Sequence, residues 1–222
     1  MNSTEEPMRI ETIGNATLYL GDCLEVMATL PDASVDMILC DPPYGTTACK
    51  WDSVIPLEPL WAQYRRIAKK NAAIVLTASQ PFTTALIASN MKDFRYCWVW
   101  EKSRVTGFAN AKIQPLRCIE DVAVFYQRRP TYNPQGVKRI NAVRRNGASV
   151  GGDSMRGDTH ASTGKGALRT AGKEYVQEFT GYPRQLVRVA SEGKTVHPTQ
   201  KPVALMEYLI RTYTNEGETV LD

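Results

Sequence analysis

The first 127 residues alternate short apolar runs with segments whose apolar residues recur at helical spacing. The apolar runs predict strands at 15–20, 35–40, 72–78, 95–101 and 119–127. The helical spacing predicts helices at 23–30, 57–70 and 81–90, and after Pro202 a further helix at 203–210 and the start of a strand at 218–222. Strands that alternate with helices predict an α/β fold built on a doubly wound, mostly parallel sheet.

Residues 15–40 read as a strand, a helix and a second strand, which together predict a β-α-β unit. Because parallel strands end at the same edge of a sheet, we expect Asp22 and Asp41, which follow the two strands, to share that edge. An N-terminal helix cap at Asp22 is an equally open interpretation, since Asp is common at that position.

The tetrapeptide Asp41-Pro42-Pro43-Tyr44 directly follows the apolar run at 35–40. Neither proline has an N–H to donate, and each biases the residue before it away from helix, so the motif predicts a rigid loop at the strand end. Open α/β sheets bind ligands at this edge. A carboxylate, a free carbonyl and an aromatic ring suit a flat base with an amino group. The alternative is an ordinary turn with Tyr44 as a core aromatic.

The amino-acid composition of residues 128–194 differs from that of the rest of the chain. This segment is rich in Gly, Ser, Thr and Arg, which predicts an inserted lobe or loops that order on binding. It holds 13 Lys and Arg against 5 Asp and Glu, a net charge of +8, so the rest of the chain carries −4 of the total of +4. We therefore predict an α/β part at 1–127, a basic region at 128–194 and a closing part at 195–222. The predicted contacts with a polyanion such as DNA are Arg128, Arg129, Lys138, Arg139, Arg144 and Arg145, with a solvated basic loop as the alternative.

The cysteines, histidines and hydropathy narrow the class of protein. Five cysteines, an odd number without a CxxC pair, predict reduced core thiols rather than disulfides or zinc ligands: Cys23, Cys40, Cys49, Cys97 and Cys118. With two histidines, no metal site is expected. No apolar stretch reaches about 18 residues, and the acidic, polar N-terminus lacks the features of a signal peptide. We expect a cytoplasmic protein without membrane contact.

Four motifs carry a resemblance when taken in their order: Gly21-Asp22-Cys23-Leu24-Glu25, Asp41-Pro42-Pro43-Tyr44-Gly45, Trp100-Glu101-Lys102 and His197-Pro198-Thr199-Gln200-Lys201-Pro202. Together they resemble the amino-methylating DNA methyltransferases, and more closely the permuted β-type group, in which the catalytic motif precedes the cofactor loop. The resemblance covers nearly the whole chain. It implies a circularly permuted methyltransferase fold, S-adenosylmethionine as cofactor, and a bacterial or phage-encoded enzyme acting on double-stranded DNA.

The resemblance also implies catalytic roles for Asp41, Pro42, Pro43 and Tyr44. In the family, Asp at the first position mainly accompanies methylation of adenine N6, and Ser that of cytosine N4, so adenine is expected and N4-cytosine is the alternative. The target base would leave the duplex and stack on Tyr44, with its amine bonded to the Asp41 carboxylate and the Pro42 carbonyl. Methylation of cytosine C5 needs a thiolate, commonly in a Pro-Cys setting, and no cysteine here follows a proline.

For the cofactor, the resemblance implies that Asp22 contacts the adenosine portion and that Thr199 and Lys201 lie near the methionine end. Asp222 is the first residue of the glycine-rich motif that closes over the methionine part, and the chain stops there. We therefore expect either a fragment of a longer protein or a C-terminally incomplete product. His197 is interpreted as a loop-packing residue.

Other hypotheses stay open at this point. The chain is also compatible with a non-catalytic remnant that binds DNA through the basic region, where the family's target-recognition region would lie. Methylation of RNA bases fits the tetrapeptide but fits the other motifs less well. A homodimer and a restriction endonuclease partner are both compatible with the sequence.

Overall fold

The structure is a computed structural model that describes residues 8–47, 49, 51–145, 174–197 and 199–222. The chain divides into two units, residues 1–133 with 184–222 and residues 134–183. The described elements of the first unit are β1 (Arg9–Ile13), β2 (Ala16–Leu20), α1 (Cys23–Thr29), β3 (Val35–Cys40), α2 (Leu57–Ile67), β4 (Ala68–Ala78), α3 (Phe82–Ser89), β5 (Phe94–Thr106), a 3₁₀ turn (Phe108–Asn110) and β6 (Arg117–Phe125), followed by β9 (Leu186–Arg188), α4 (Val203–Tyr213) and β10 (Val220–Leu221). The second unit contains β7 (Lys138–Arg145) and β8 (Glu174–Thr180).

The described central sheet has six strands in the order β10-β3-β4-β6-β5-β9. β6 runs antiparallel to both of its neighbours, and every other adjacent pair is parallel. The sheet is therefore mostly parallel, which confirms the α/β fold class predicted from the alternation of strands and helices.

The apolar core lies on both faces of this sheet. Ile38 of β3 packs in a cluster with buried side chains of α1, α2 and α3. Its neighbours Met37 and Leu39 point to the other face and pack in a cluster with Leu205 and Leu209 of α4. Because both faces are covered, β3 reads as a continuous apolar run rather than an alternating one.

The strand predicted at 15–20 forms, but its predicted pairing is wrong. β2 pairs antiparallel with β1 in a separate two-stranded sheet, with Ile13 opposite Ala16 across the turn at Gly14 and Asn15. The expected β-α-β unit, and with it the argument that Asp22 and Asp41 end parallel strands at one edge, therefore fails. The apolar run at 15–20 identified a strand correctly but could not identify its partner.

The boundary between α2 and β4 also differs from the prediction. The helix predicted at 57–70 ends at Ile67, because β4 begins at Ala68, which lies opposite Val35 of β3. Lys69, predicted to be helical, donates from strand β4 to the Asp36 carboxylate. The short strand β9 was not predicted, although Val187 is buried in the core.

All five cysteines are free, as predicted, but the prediction that they lie in the core is wrong for three of them. Cys23, Cys49 and Cys118 are exposed, whereas Cys40 and Cys97 are partly buried and pack against the core. The apolar residues around each cysteine predicted burial, but Cys23 begins α1 just after its cap and Cys118 lies in the exposed first part of β6. Among the described residues, no helix is both long and apolar enough to cross a bilayer.

Candidate active site

The carboxyl ends of β3 and β4 bring two polar side chains together. Cys40 lies opposite Leu76 in this parallel pair, so the next residues along the chain, Asp41 and Thr77, are neighbours. Since β6 runs antiparallel to β4, the start of β6 meets the same edge and brings Glu120 there. Residues far apart in the sequence therefore converge at one sheet edge, where ligands bind in open α/β folds.

One carboxylate oxygen of Asp41 is held by two hydroxyl groups. Thr77 Oγ1 donates to Asp41 Oδ1 at 2.5 Å, and the Tyr44 hydroxyl lies 2.9 Å from Oδ1 and 2.8 Å from Thr77 Oγ1. Thr77 is 1% exposed, so its hydroxyl cannot find water as an alternative partner. These contacts fix the orientation of the carboxylate.

The Tyr44 ring is packed as well as hydrogen-bonded. It stacks on Phe82 with 5.4 Å between the ring centroids and 19° between the planes. Burial first, and then the negative charge of Asp41, raises the pKa of Tyr44 well above its usual value. The phenol is therefore protonated at neutral pH and available as a donor to Thr77 or Asp41.

Four charged side chains alternate in sign beside Tyr44. The Lys201 ammonium lies 2.9 Å from Asp41 Oδ1, 3.0 Å from Asp41 Oδ2 and 3.3 Å from Glu120 Oε2. Lys102 donates to the other oxygen of Glu120 at 3.0 Å. Only 10% of the Lys201 side chain, 11% of Lys102 and 15% of Glu120 is exposed, against 32% of Asp41. Such pairs are strongly coupled, because removing one partner leaves a buried charge uncompensated.

A cleft of about 700 Å³ opens beside this charge network. The predicted residues that line it are Asp41, Pro42, Pro43, Tyr44, Thr199 and Lys201. Its volume lies within the range of about 300–1,000 Å³ that is typical of cofactor and small-molecule pockets. The structure thus brings the tetrapeptide and the 197–202 segment together, although 160 residues separate Asp41 from Lys201.

The other predicted cofactor residues lie outside that lining. The Asp22 carboxylate accepts from Leu24 N at 2.8 Å and Glu25 N at 3.4 Å, which confirms the cap interpretation. Asp222 follows β10, and burial first, then the charge of Asp41, raises its pKa. Within the 197–202 segment, the Thr199 hydroxyl lies 3.0 Å from His197 Nδ1. Pro198 lies outside the described residues.

The predicted basic residues are distributed over both units. Arg128 and Arg129 are exposed in the first unit, after β6. Lys138, Arg139 and Arg144 are exposed on β7 in the second unit. Arg145 ends β7, and its side chain lies outside the described residues.

The loop after Tyr44 is held in place by Asp52, which was not predicted as a site residue. Its carboxylate accepts from the backbone N–H groups of Gly45 at 2.8 Å, Thr46 at 2.9 Å and Thr47 at 2.6 Å. Gly45 has a φ of +67°, and an added Cβ would lie 2.9 Å from the Val54 side chain. The turn therefore requires glycine at this position.

We expect Asp52→Asn to destabilise the fold at neutral pH and to have a smaller effect in acid. Burial raises the pKa of Asp52, but hydrogen bonds from Thr47 and from the loop N–H groups outweigh it and lower the pKa to about 2. A depressed carboxyl pKa contributes stability above the ordinary value of 3.8, and the contribution disappears as the pH falls through about 2. The check is the denaturant midpoint of both proteins between pH 7 and pH 2.

The control for this experiment is Asp32→Asn, which removes an exposed carboxylate paired with Arg66. A surface pair contributes little, so its midpoint should stay near that of the parent protein throughout. If the deficit of Asp52→Asn is the same at pH 7 and pH 2, the carboxylate charge does not hold the loop.

Thr77, Glu120 and Lys102 were not predicted as site residues. Thr77 lies within β4, inside the strand predicted at 72–78, and it meets Asp41 through the register of β3 and β4. Lys102 stands in the Trp100-Glu101-Lys102 motif, but no role was predicted for it. Glu120 precedes the apolar half of β6. It reaches the site because β6 runs antiparallel to its neighbours, and the hydrophobic pattern does not indicate strand direction.

A family model described as DNA methylase matches residues 35–222. The chain is similar to the type II methyltransferase M.HpaI of Haemophilus parainfluenzae, with 23% identity over 218 residues that cover 92% of this chain and 62% of the relative. It is also similar to the type II methyltransferase M.HinfI of Haemophilus influenzae, with 24% identity over 242 residues that cover 93% and 58%. The chain thus spans less than two thirds of the length of either relative.

Two solved structures share the fold. The M1.HpyAVI–SAM complex matches with a TM-score of 0.54 and 22% identity, covering 92% of this chain and 80% of that one. The PvuII DNA methyltransferase, described as cytosine-N4-specific, matches with a TM-score of 0.56 and 13% identity, covering 91% and 71%. At identities this low, the two structural matches establish the fold of the chain.

Proposed function

This chain belongs to the DNA methylase family, and from that premise we propose that it transfers a methyl group from S-adenosylmethionine to the N6 amine of an adenine in DNA. The observation that carries the proposal is the Asp41 carboxylate. Thr77 donates to its Oδ1 and Lys201 to its Oδ2, and both Asp41 and Lys201 line a cleft large enough for a base. The choice of adenine over cytosine N4 rests on Asp, rather than Ser, at the first position of the tetrapeptide.

The proposed mechanism assigns a task to each residue of the tetrapeptide. An adenine inside a duplex is stacked and paired, so it must be extruded, at a cost of a few kcal/mol. The Tyr44 ring would stack on the extruded base. The Asp41 carboxylate and the Pro42 carbonyl would each accept one hydrogen of the amine, which directs the nitrogen lone pair toward the methyl donor.

The residues of the cleft fit the proposed cofactor. A cavity of about 700 Å³ is large enough to accommodate it. When bound, S-adenosylmethionine supplies a methyl group activated by its sulfonium. We assign Thr199 and Lys201, which line the cleft, to its methionine end. Asp22 is proposed for its adenosine portion and Asp222 as a further contact, although both lie outside the cleft lining.

Position and electrostatics are the main contributions that this site can make to a direct displacement. Covalent catalysis by a neighbouring thiol is disfavoured. Burial raises the pKa of Cys40, the cysteine next to Asp41, to about 12, so its sulfur stays protonated at neutral pH.

The antiparallel pair of β7 and β8 is the proposed DNA-contacting surface of the second unit. Arg144 lies opposite Tyr175, and Arg139 lies opposite Phe179. Because directly opposed residues share a face, and Tyr175 and Phe179 are four positions apart, all four side chains lie on one face of this pair. Tyr175 is 46% exposed and Phe179 40%. Arginines neutralise phosphates, and exposed aromatic rings stack on bases.

We expect the double variant Arg139→Gln, Arg144→Gln to bind DNA more weakly. Each arginine that neutralises a phosphate adds about one unit to the slope of log K against log salt, so the slope should fall by about 2. The measurement is fluorescence anisotropy of a labelled duplex over a salt series. The control is Lys92→Gln with Arg211→Gln, which removes two exposed charges, one of them paired with Glu207 on α4. An unchanged slope in the first variant would remove both arginines from the interface.

The proposed function is tested by transfer of labelled methyl from S-adenosylmethionine to unmodified DNA. The assay uses the 222-residue chain beside the longest reading frame that contains it. Digestion of the product to nucleosides identifies the methylated base, and we expect N6-methyladenine. Recovery of N4-methylcytosine alone would overturn the choice of base, and label in RNA but not in DNA would overturn the substrate class. No transfer by either protein would leave DNA binding without catalysis as the better account.

A further inference from the structure

Lys201 occupies the place that the proposed substrate needs. Asp41 Oδ1 accepts from Thr77, and the contact of Oδ2 is with the Lys201 ammonium at 3.0 Å. The same ammonium lies 5.2 Å from the centroid of the Tyr44 ring, over the ring. An amino base that bonds to Asp41 and stacks on Tyr44 would meet Lys201 at both contacts.

A neutral amine cannot displace an ammonium from a carboxylate without compensation. The exchange gives up the Coulomb attraction between the ammonium and the carboxylate, so it is unfavourable taken alone. It becomes feasible if Lys201 keeps an ion pair after it leaves Asp41.

Glu120 provides that second partner. Its Oε1 accepts from Lys102, whereas its Oε2 is buried without a hydrogen bond of good geometry and lies 3.3 Å from the Lys201 ammonium. A buried carboxylate oxygen without a hydrogen bond lowers the stability of the fold, and a closer approach of Lys201 would supply that bond. A small movement of the ammonium therefore exchanges one carboxylate for another.

We propose that Lys201 is a stand-in for the substrate amine, holding Asp41 in the ligand-free protein and moving to Glu120 when the target base enters. The inference rests on the proposed function. Lys201 and Glu120 are then positioning residues: they keep Asp41 oriented and neutralised until the base arrives, and they set how readily the base is accepted.

The test compares two duplexes that carry the recognised sequence, which is first mapped on DNA methylated in the transfer assay. One has adenine at the target position, and the other has purine, which lacks the N6 amine. The change in the ratio of their dissociation constants between variants reports on the contact between the amine and Asp41, because the pairing of the target base in the duplex is the same for every variant. Binding is measured without cofactor, since Lys201 is also proposed to contact its methionine end, and the variants are Lys201→Met, Glu120→Gln and the double variant.

We expect Glu120→Gln to reduce the preference for adenine about tenfold, because Lys201 then has no second carboxylate to move to. A tenfold change corresponds to the loss of one charge-assisted hydrogen bond. Lys201→Met should raise the preference, since Asp41 is free. The double variant should match Lys201→Met, because Glu120 acts through Lys201. Lys69→Met is the matched control, as it breaks an ion pair with Asp36 outside the cleft and should leave the ratio unchanged.

Two results would overturn the inference. If Glu120→Gln reduces the preference equally with and without Lys201, Glu120 supports the site independently of the lysine. If Lys201→Met lowers the preference, the lysine assists the base rather than standing in for it. Failure of the proposed function is distinct, because it appears as missing N6-methyladenine in the transfer assay. Thermal unfolding of each variant verifies that the compared proteins are folded.

Discussion

Replacing Asp41 with Asn is expected to lower kcat for methyl transfer by about 10²- to 10³-fold, the usual loss when one preorganised electrostatic contact is removed from an active site. Asn has the same size, but it lacks the negative charge that draws the amine hydrogen. Its amide group can also present a donor where the substrate must donate. Single-turnover transfer with enzyme in excess over DNA measures this step without product release.

The comparison needs folded protein that is saturated with DNA. Asp41→Asn leaves the nearly buried Lys201 with Glu120 as its remaining carboxylate, so some loss of melting temperature is expected, and transfer is measured below the unfolding transition of both proteins. Asp32→Asn, which removes an exposed surface carboxylate, controls for the loss of charge. If Asp41→Asn retains activity within a factor of about ten while Asp32→Asn matches the parent, the carboxylate is not the group that directs the amine.

The strand-end reasoning predicted the centre of the candidate site from local sequence. The apolar run of β3 followed by two prolines located the loop at the correct edge of the sheet, because strand termination depends on nearby residues. It did not extend to Glu120 or Lys102. Glu120 reaches the site because β6 runs against its neighbours, and a hydrophobic pattern records burial but not strand direction.

Strand pairing was also beyond what the sequence could specify. The apolar run of β2 does not identify a partner, and the turn at Gly14 and Asn15 pairs it with β1. β7 and β8 lie in 128–194, which the composition predicted as an inserted lobe or loops, and a register shift between Arg139 and Ala142 interrupts the alternation of β7. β9 has three residues, too few to establish a period. Local signals therefore predicted five of the six described strands of the central sheet, and long-range pairing determined their order.

Thr77 shows how the two kinds of information combine. Its hydroxyl bonds to Asp41 because β3 and β4 pair in parallel with Cys40 opposite Leu76. Both strands were predicted, and a parallel register between them would have placed the two residues together. The register itself depends on the bulge between Val35 and Met37, which could not be predicted from the sequence.

Tyr44 is expected to contribute mainly through its ring. Tyr44→Phe keeps the ring and the stack on Phe82, and it loses one hydroxyl contact to Thr77 and Asp41, worth about 0.5–1.5 kcal/mol. Tyr44→Ala also removes the stacking surface for a base, worth about 1–3 kcal/mol more, so its kcat/KM should fall about 10- to 100-fold below that of the Phe variant.

Stability could confound the result for Tyr44→Ala, and Phe82→Leu separates the two effects. Phe82 is 5% exposed and packs against Tyr44 from outside the cleft lining. Its replacement should therefore lower the melting temperature while leaving kcat/KM near the parent value at a temperature where both proteins are folded. Equal losses in Tyr44→Phe and Tyr44→Ala would mean that the hydroxyl, through its bonds to Thr77 and Asp41, is the functional group, and that the base does not stack on this ring.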